Sequence, residues 1–122
     1  MNREIKFRAW DEMNNTMHYD ALIIEQRAGY LAAVDRTPMQ GRITDFMQFT
    51  GLKDKNGKEV YEGDIIDRNA SNGRGNVKGV IEFSHGSFIV KWFGNGQWNE
   101  VLHIHIPDSK IIGNIHQNPE LL

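Results

Sequence analysis

The feature that most limits what this chain can fold into is the brevity of its apolar runs. From Gly63 to the end, about five such runs follow one another, separated by polar turns that contain glycine or proline. No stretch repeats its apolar residues at the spacing of a helix. The pattern predicts a mainly β fold (β-rich α+β at most) in one domain over 1–122. We expect an N-terminal β-meander and loop over 1–50, packed with an SH3-like small barrel over 51–122 that closes on itself.

Three short turn signals set the predicted strand boundaries. Asn56-Gly57 is the strongest of them, because both central residues of a type I′ hairpin turn need a positive φ. His85-Gly86 lies between two runs that alternate, so it predicts a second hairpin. Tyr61-Glu62-Gly63-Asp64 predicts another turn before the buried Ile65 and Ile66.

The N-terminal half carries the period-two pattern of strands. Ile5 to Trp10 alternates, with Ile5, Phe7 and Ala9 on one face and Lys6, Arg8 and Trp10 on the other, which predicts a half-buried strand. Leu22 to Ile24 and Tyr30 to Val34 predict an antiparallel pair, although Ala32-Ala33 leaves a helix open as the alternative for the second run. Residues 35–42 and 69–76 lack any period and are predicted to be exposed loops.

Composition narrows the class of protein without naming a function. The net charge of −2 on 122 residues supplies no general attraction to nucleic acid or to an anionic membrane. Since there is no cysteine, disulfides and thiolate chemistry are excluded. No run is long enough to cross a bilayer, and no signal peptide is evident, so we expect a soluble protein of the bacterial cytoplasm.

His103-x-His105 is the one motif that suggests a metal. Two histidines at this spacing on a strand project to one face and could ligate the same ion. The alternative is that they are polar residues on the solvent face of a strand whose buried face is Leu102, Ile104 and Ile106. We favour this alternative, because the sequence provides no third ligand, and we expect no cofactor.

A set of cations and aromatic residues forms the second candidate site. Exposed rings beside cations suit the binding of peptides or nucleic acids by small barrels. The alternative is that the rings fill the barrel while the cations are solvated. The candidate binding residues are Arg68, Arg74, Lys91, Trp92 and Trp98, with Lys78 and Phe93 beside them.

Acidic residues gather near the second turn. Glu59, Glu62 and Asp64 could bind a divalent cation through their carboxylates. We favour a structural role, because Asp and Asn side chains in turns commonly accept hydrogen bonds from nearby backbone amides.

Three segments resemble one known family. They are Arg3 to Asp11, with the sequence REIKFRAWD, Met47 to Ile66, with MQFTGLKDKNGKEVYEGDII, and Ile112 to Leu122, with IGNIHQNPELL. In this order they resemble the YopX family of phage and prophage proteins. The resemblance implies a mainly β fold, a phage or prophage origin and self-association. It implies no reaction, because that family has no established catalytic residues.

The sequence thus favours a non-enzymatic phage accessory protein that acts by binding. Its expected partners are a second copy of itself and a phage or host protein. Nucleic-acid binding by the barrel is the first alternative, and a metal-dependent enzyme that uses His103 and His105 is the second.

Overall fold

The computed structural model describes residues 4–12, 15–19, 22–27, 30–35, 43–69, 76–94 and 96–122. The chain divides into two compact units, Met1–Phe49 and Thr50–Leu122. Nearly every element is a strand, so the predicted mainly β fold is confirmed. The elements are β1 (Phe7–Asp11), β2 (Thr16–His18), β3 (Leu22–Arg27), β4 (Tyr30–Asp35), β5 (Ile43–Lys53), β6 (Glu59–Tyr61), β7 (Asp64–Asn69), β8 (Asn76–Ser84), β9 (Ser87–Gly94), β10 (Gly96–Val101), α1 (Leu102–His105), a 3-10 turn (Ile106–Asp108), β11 (Ser109–Asn114) and a second 3-10 turn (Pro119–Leu121).

Strand β1 is the central strand of the N-terminal unit. It pairs antiparallel with β2 on one side and with β5 on the other, while β3 and β4 form a separate antiparallel pair. The unit therefore departs from a simple meander, because β5 returns to β1. Arg8 and Trp10 are buried along with Ala9, so β1 is covered on both faces there and is not the half-buried strand that the sequence predicts. The Arg8 guanidinium lies 5.8 Å from the Tyr19 ring.

The C-terminal unit contains a five-stranded antiparallel sheet with the order β10-β9-β8-β7-β11. The last strand along the chain, β11, follows a 3-10 turn and pairs with β7, the first strand of this sheet in sequence. This strand order is the one expected of an SH3-like barrel. The sheet curls into a half-barrel, and β10 and β11 remain its two edges. The described residues of β10 and β11 are therefore not hydrogen-bonded to each other, and the barrel is not closed by strand pairing. The helical segment 102–108 joins them instead.

The concave face of this sheet carries the main apolar core of the described residues. Trp92 is fully buried there, and a Cβ placed on Gly79 of the neighbouring strand would lie only 2.8 Å from Trp92 Cε3. Glycine at position 79 thus leaves the space in which the indole lies. The buried cluster consists of Val60, Ile66, Ile81, Val90, Trp92, Leu102 and Ile106.

The hairpin turns differ from one another. His85 and Gly86 both have positive φ, as a type I′ turn requires, so that predicted hairpin is confirmed. At Asn56-Gly57 only Gly57 has a positive φ, and the predicted type I′ turn is wrong. A three-residue loop is closed instead by a hydrogen bond from Asp54 N to Lys58 O of 2.8 Å.

Residues 102–106 are helical, and the predicted strand there is wrong. Leu102 and Ile106 are buried whereas Ile104 is 59% exposed, so the apolar spacing that matters is four residues and not two. Side chains four apart share one face of a helix, and this places both residues on the core. Within the described residues, no helix has the length and apolar character needed to span a membrane.

The C-terminal motif forms a turn held by amide side chains. Asn114 Oδ1 accepts hydrogen bonds from the backbone amides of His116 (3.0 Å) and Gln117 (2.9 Å). Asn118 Oδ1 in turn accepts one from Asn114 N at 3.2 Å. Gly113 has no Cβ, which would lie 2.4 Å from Asn118 Oδ1. This part of the family-like sequence therefore serves the fold.

We expect Asn114→Ala to lower the free energy of unfolding by about 2 kcal/mol, because two backbone donors lose their acceptor at a buried position. Urea denaturation measures the change. Glu120→Ala, at an exposed position in the same C-terminal segment that keeps both backbone bonds, should cost less than about 0.5 kcal/mol. Equal losses for the two variants would contradict the role assigned to Asn114.

Candidate binding site at the end of the half-barrel

Strand pairing places three of the sequence-predicted residues on the concave face of the sheet. Trp98 of β10 lies directly opposite Trp92 of β9, and residues paired in register share a face. Arg68 lies two residues beyond the buried Ile66 on β7, so it has the same orientation. Arg68, Trp92 and Trp98 therefore lie on the same face of the sheet.

Glu100 and His105 complete this group. Glu100 Oε1 accepts a hydrogen bond from Trp98 Nε1 at 2.7 Å, while its Oε2 is paired with His105 Nε2. The His105 ring stands edge-on to Trp92, with ring centroids 6.0 Å apart and planes at 85°. We call these five residues, Arg68, Trp92, Trp98, Glu100 and His105, the Trp98 site.

The five members of the Trp98 site lie on four elements of the C-terminal unit. Trp98 and Glu100 are two apart on β10, so the alternation of the strand directs both to one face. His105 ends α1, whose buried Leu102 anchors the helix on the core. Ser109 Oγ donates to the carbonyl of His105 at 2.8 Å, which fixes the end of that helix.

Two donors of the Trp98 site have no acceptor among the described residues. The Arg68 guanidinium lies 5.9 Å from the Trp92 ring and makes no ion pair with a described carboxylate. The buried Nε1 of Trp92 has no hydrogen-bond partner there. A buried N–H without an acceptor is costly and unusual in folded proteins.

The other sequence-predicted binding residues lie elsewhere. Lys91 is adjacent to Trp92 on β9, and therefore on the opposite face of the sheet. Arg74 lies outside the described residues. Among the acids near the second turn, Asp64 Oδ2 accepts the backbone amide of Tyr61 at 2.8 Å, which is the local role that the sequence favours.

The helix changes the geometry proposed for His103 and His105. Residues two apart on a helix are rotated by about 200°, so the two rings do not share a face. His103 is exposed, whereas His105 is paired with Glu100. In the described part of the chain, no three His, Cys, Asp or Glu side chains are grouped as a metal ion would need.

The sequence analysis did not select Glu100, and it considered His105 only as a metal ligand or as a polar residue on the solvent face of a strand. The spacing Trp98-x-Glu100 on a predicted strand could have shown that both residues face the same way. Nothing local indicates that His105 reaches Glu100, because that contact depends on the unexpected helix.

The Trp98 site has the chemistry of a contact surface. Trp98 is 39% exposed although its Nε1 is held by Glu100. A ring fixed before binding loses little conformational freedom in a complex, and tryptophan often dominates the energy of protein interfaces.

Comparison with known proteins supports the overall architecture. The family model described as "YopX protein" matches residues 6–122. The crystal structure of protein EF1440 from Enterococcus faecalis is similar, with 28% identity, a TM-score of 0.64 and 99% of each chain covered. The crystal structure of protein yopX from Bacillus subtilis has 22% identity and a TM-score of 0.57, covering 96% of this chain and 95% of that one. No curated protein matches the chain at a significant level.

Proposed function

This chain belongs to the YopX family, whose function is uncharacterised, and from that premise we propose that it is a non-enzymatic phage or prophage accessory protein that acts by binding in the host cytoplasm. Its partners are protein surfaces, including a second copy of itself. The exposed indole of Trp98, hydrogen-bonded to Glu100, is the observation that carries this proposal.

The two edges of the five-stranded sheet differ, and this supports self-association through β10. Edge β11 contains a register shift after Ile111, and the amide of Ile111 donates to Asp54 Oδ2 at 2.9 Å. Strand β10 pairs regularly with β9, contains neither lysine nor proline, and has no described strand on its other side. Such an edge can add a strand from another chain.

Nucleic-acid binding at Trp98 is less favoured. A base stacked on the indole would bring its phosphates near the Glu100 carboxylate, which is hydrogen-bonded to the same ring. Like charges at this distance oppose binding. If DNA or RNA bound at this site, the affinity would fall with salt and would depend on Trp98.

We expect Trp98→Ala to weaken self-association while leaving the fold intact, because the side chain is partly exposed and lies at an edge. A loss of about 2 kcal/mol or more, on the order of a thirtyfold weaker association, is typical for an interface tryptophan. Sedimentation velocity over a concentration series measures the effect, and circular dichroism checks the fold.

Phe83→Ala is the matched control, because Phe83 is also an exposed aromatic but lies beside the hairpin turn at Ser84 to Ser87. Its association should equal that of the wild type. A monomeric wild-type protein at all concentrations, or an unchanged Trp98→Ala variant, would exclude association through this surface.

A further inference from the structure

The hairpin at His85-Gly86 fixes which backbone groups of the five-stranded sheet point outwards. Both residues have a positive φ, and the pair that closes such a two-residue turn, Ser84 and Ser87, exchanges both of its backbone hydrogen bonds. From that pair onwards, hydrogen-bonded and non-hydrogen-bonded pairs alternate along the ladder. Trp92 therefore directs its N–H and C=O away from β8 and towards β10, where its partner is Trp98.

The alternation leaves the backbone groups of Gln97 and Asn99 on the open side of β10. Trp98 and every second residue from it bond to β9, so the residues between them point outwards. No hydrogen bond to the N–H or C=O of Gln97 or Asn99 is found among the described residues. Val101 lies on the same side, but it precedes α1, and its C=O accepts the first bond of the helix.

The opposite edge of the sheet agrees with this alternation. Carried across β8 and β7, it directs the C=O of Ser109 and the N–H of Ile111 outwards from β11. The chain itself covers these two groups, because Ser109 O accepts from Lys55 N and Ile111 N donates to Asp54 Oδ2, both at 2.9 Å. Edge β11 is thus covered by the turn between β5 and β6, whereas β10 keeps groups that a strand of another chain can bond.

We propose that this strand is β10 of a second copy, paired antiparallel about a two-fold axis that passes between the two Trp98 residues. In this register Gln97 lies opposite the partner's Asn99, so the outward groups of both residues are used, in about four hydrogen bonds. The two Trp98 residues form a non-hydrogen-bonded pair, in which opposite side chains come closest. Each exposed indole is then covered by the partner's Trp98, and aromatic pairs of this kind stabilise a ladder.

The charge of Glu100 and the ring of Trp98 select this register. An axis at Glu100 would set the two carboxylates directly opposite each other, and an axis at Asn99 would place them diagonally, about 7–8 Å apart. An axis at Gln97 would leave Trp98 opposite the partner's Gly96, without a second ring. With the axis at Trp98, Glu100 faces the partner's Gly96, and the two carboxylates are separated by about 14 Å along the strands.

This inference rests on the proposed function, because it specifies how a second copy binds at Trp98. The two failures can be told apart. Association that requires Trp98 without a cross-link between positions 97 and 99 would remove only the register. A protein that is monomeric at every concentration would remove both the register and the proposed association.

Cysteine cross-linking tests the register, because the full chain contains no cysteine. Gln97→Cys and Asn99→Cys proteins are mixed in equal amounts and oxidised with glutathione disulfide. Residues of a hydrogen-bonded pair have Cα atoms about 5.5 Å apart, a usual disulfide distance, so a mixed dimer of the two variants should form. Asn99→Cys alone should remain uncross-linked, because its two Cα atoms would lie about 8 Å apart.

Phe83→Cys, at an exposed position beside the hairpin turn, is the control for random collision and should not cross-link to Asn99→Cys. The inference is overturned if the mixture of Gln97→Cys and Asn99→Cys gives no more mixed dimer than this control. It is also overturned if Asn99→Cys cross-links efficiently by itself, which would place the axis at Asn99.

Asn99→Pro and Asn99→Ala test the backbone bonds separately. Proline removes the outward N–H of Asn99 and leaves the pairing with β9 intact, because that N–H does not face β9. We expect Asn99→Pro to associate at least about tenfold more weakly in sedimentation velocity, whereas Asn99→Ala, which keeps the N–H, should associate like the wild type. Equal association of the two variants, with the fold checked by circular dichroism, would overturn the strand pairing.

Discussion

Replacing Asp54 with alanine is expected to lower the free energy of unfolding by about 3 to 5 kcal/mol, the largest effect of any single polar substitution proposed for this chain. Asp54 is only 6% exposed. Its Oδ1 accepts the backbone amides of Asn56 and Lys58, both at 2.9 Å. Its Oδ2 accepts the amide of Ile111, 57 residues away along the chain, also at 2.9 Å.

The size of the effect follows from what alanine leaves behind. Three backbone donors would lose their acceptor, and each buried unsatisfied amide costs about 1–3 kcal/mol. The loop Asp54 to Lys58 would also lose its side-chain bond to β11 and keep the backbone bond from Lys55 N to Ser109 O, at 2.9 Å. Thermal unfolding should show a decrease of about 10 °C or more in Tm.

Asp54→Asn provides a graded comparison. Its amide oxygen can still accept the two local bonds, but its nitrogen cannot accept from Ile111, so an intermediate loss is expected. Asp108→Ala, which removes an exposed carboxylate, should change stability by less than about 0.5 kcal/mol. If Asp54→Ala unfolded at the temperature of Asp108→Ala, the hydrogen bonds described for Asp54 would not matter to stability.

Gly79→Ala should destabilise the C-terminal unit by about 2 kcal/mol or more, because the added methyl group has no space. Its Cβ would lie 2.4 Å from Val90 Cγ1 and 2.8 Å from Trp92 Cε3. Both neighbours are fully buried and cannot move into solvent. Chemical denaturation measures the loss, and a shift in tryptophan fluorescence should report displacement of Trp92.

A double-mutant cycle isolates this steric cause. Val90→Ala removes the closest atom, so the variant carrying both substitutions should lose less stability than the sum of the two single losses. Lys78→Ala, an exposed change next to Gly79, serves as the control and should be nearly neutral. Simple additivity of Gly79→Ala and Val90→Ala would show that the contact is not the source of the instability.

The motifs that resemble the YopX family carry much of the fold. In 47–66, Asp54, Gly57 and Asp64 form turns and backbone hydrogen bonds. In 112–122, Asn114 and Asn118 hold the final turn. These segments could be recognised from sequence because turn chemistry depends on residues close together in the chain. They indicate the family without indicating a site.

The Trp98 site could be predicted only in part. Cations and aromatic rings suggest a contact surface, which selects Arg68, Trp92 and Trp98, but the same reasoning selects Lys91, which lies on the opposite face. The type of a residue does not show which face of the sheet its side chain occupies. That requires the orientation of the strand within the sheet. Glu100 was missed for a related reason, since its partner His105 was expected on a strand.

By itself the sequence determined the mainly β character, the strands of the C-terminal half up to Val101 and the turn at His85-Gly86, because alternation and φ preferences act between neighbours in the chain. The tertiary structure decided that Ile106 is buried and Ile104 exposed, and that His105 meets Glu100. It also decided that Trp92 fills the space left by Gly79. These outcomes depend on how segments distant in sequence align and pack, and the free energy of that packing outweighs the local preference of a few residues.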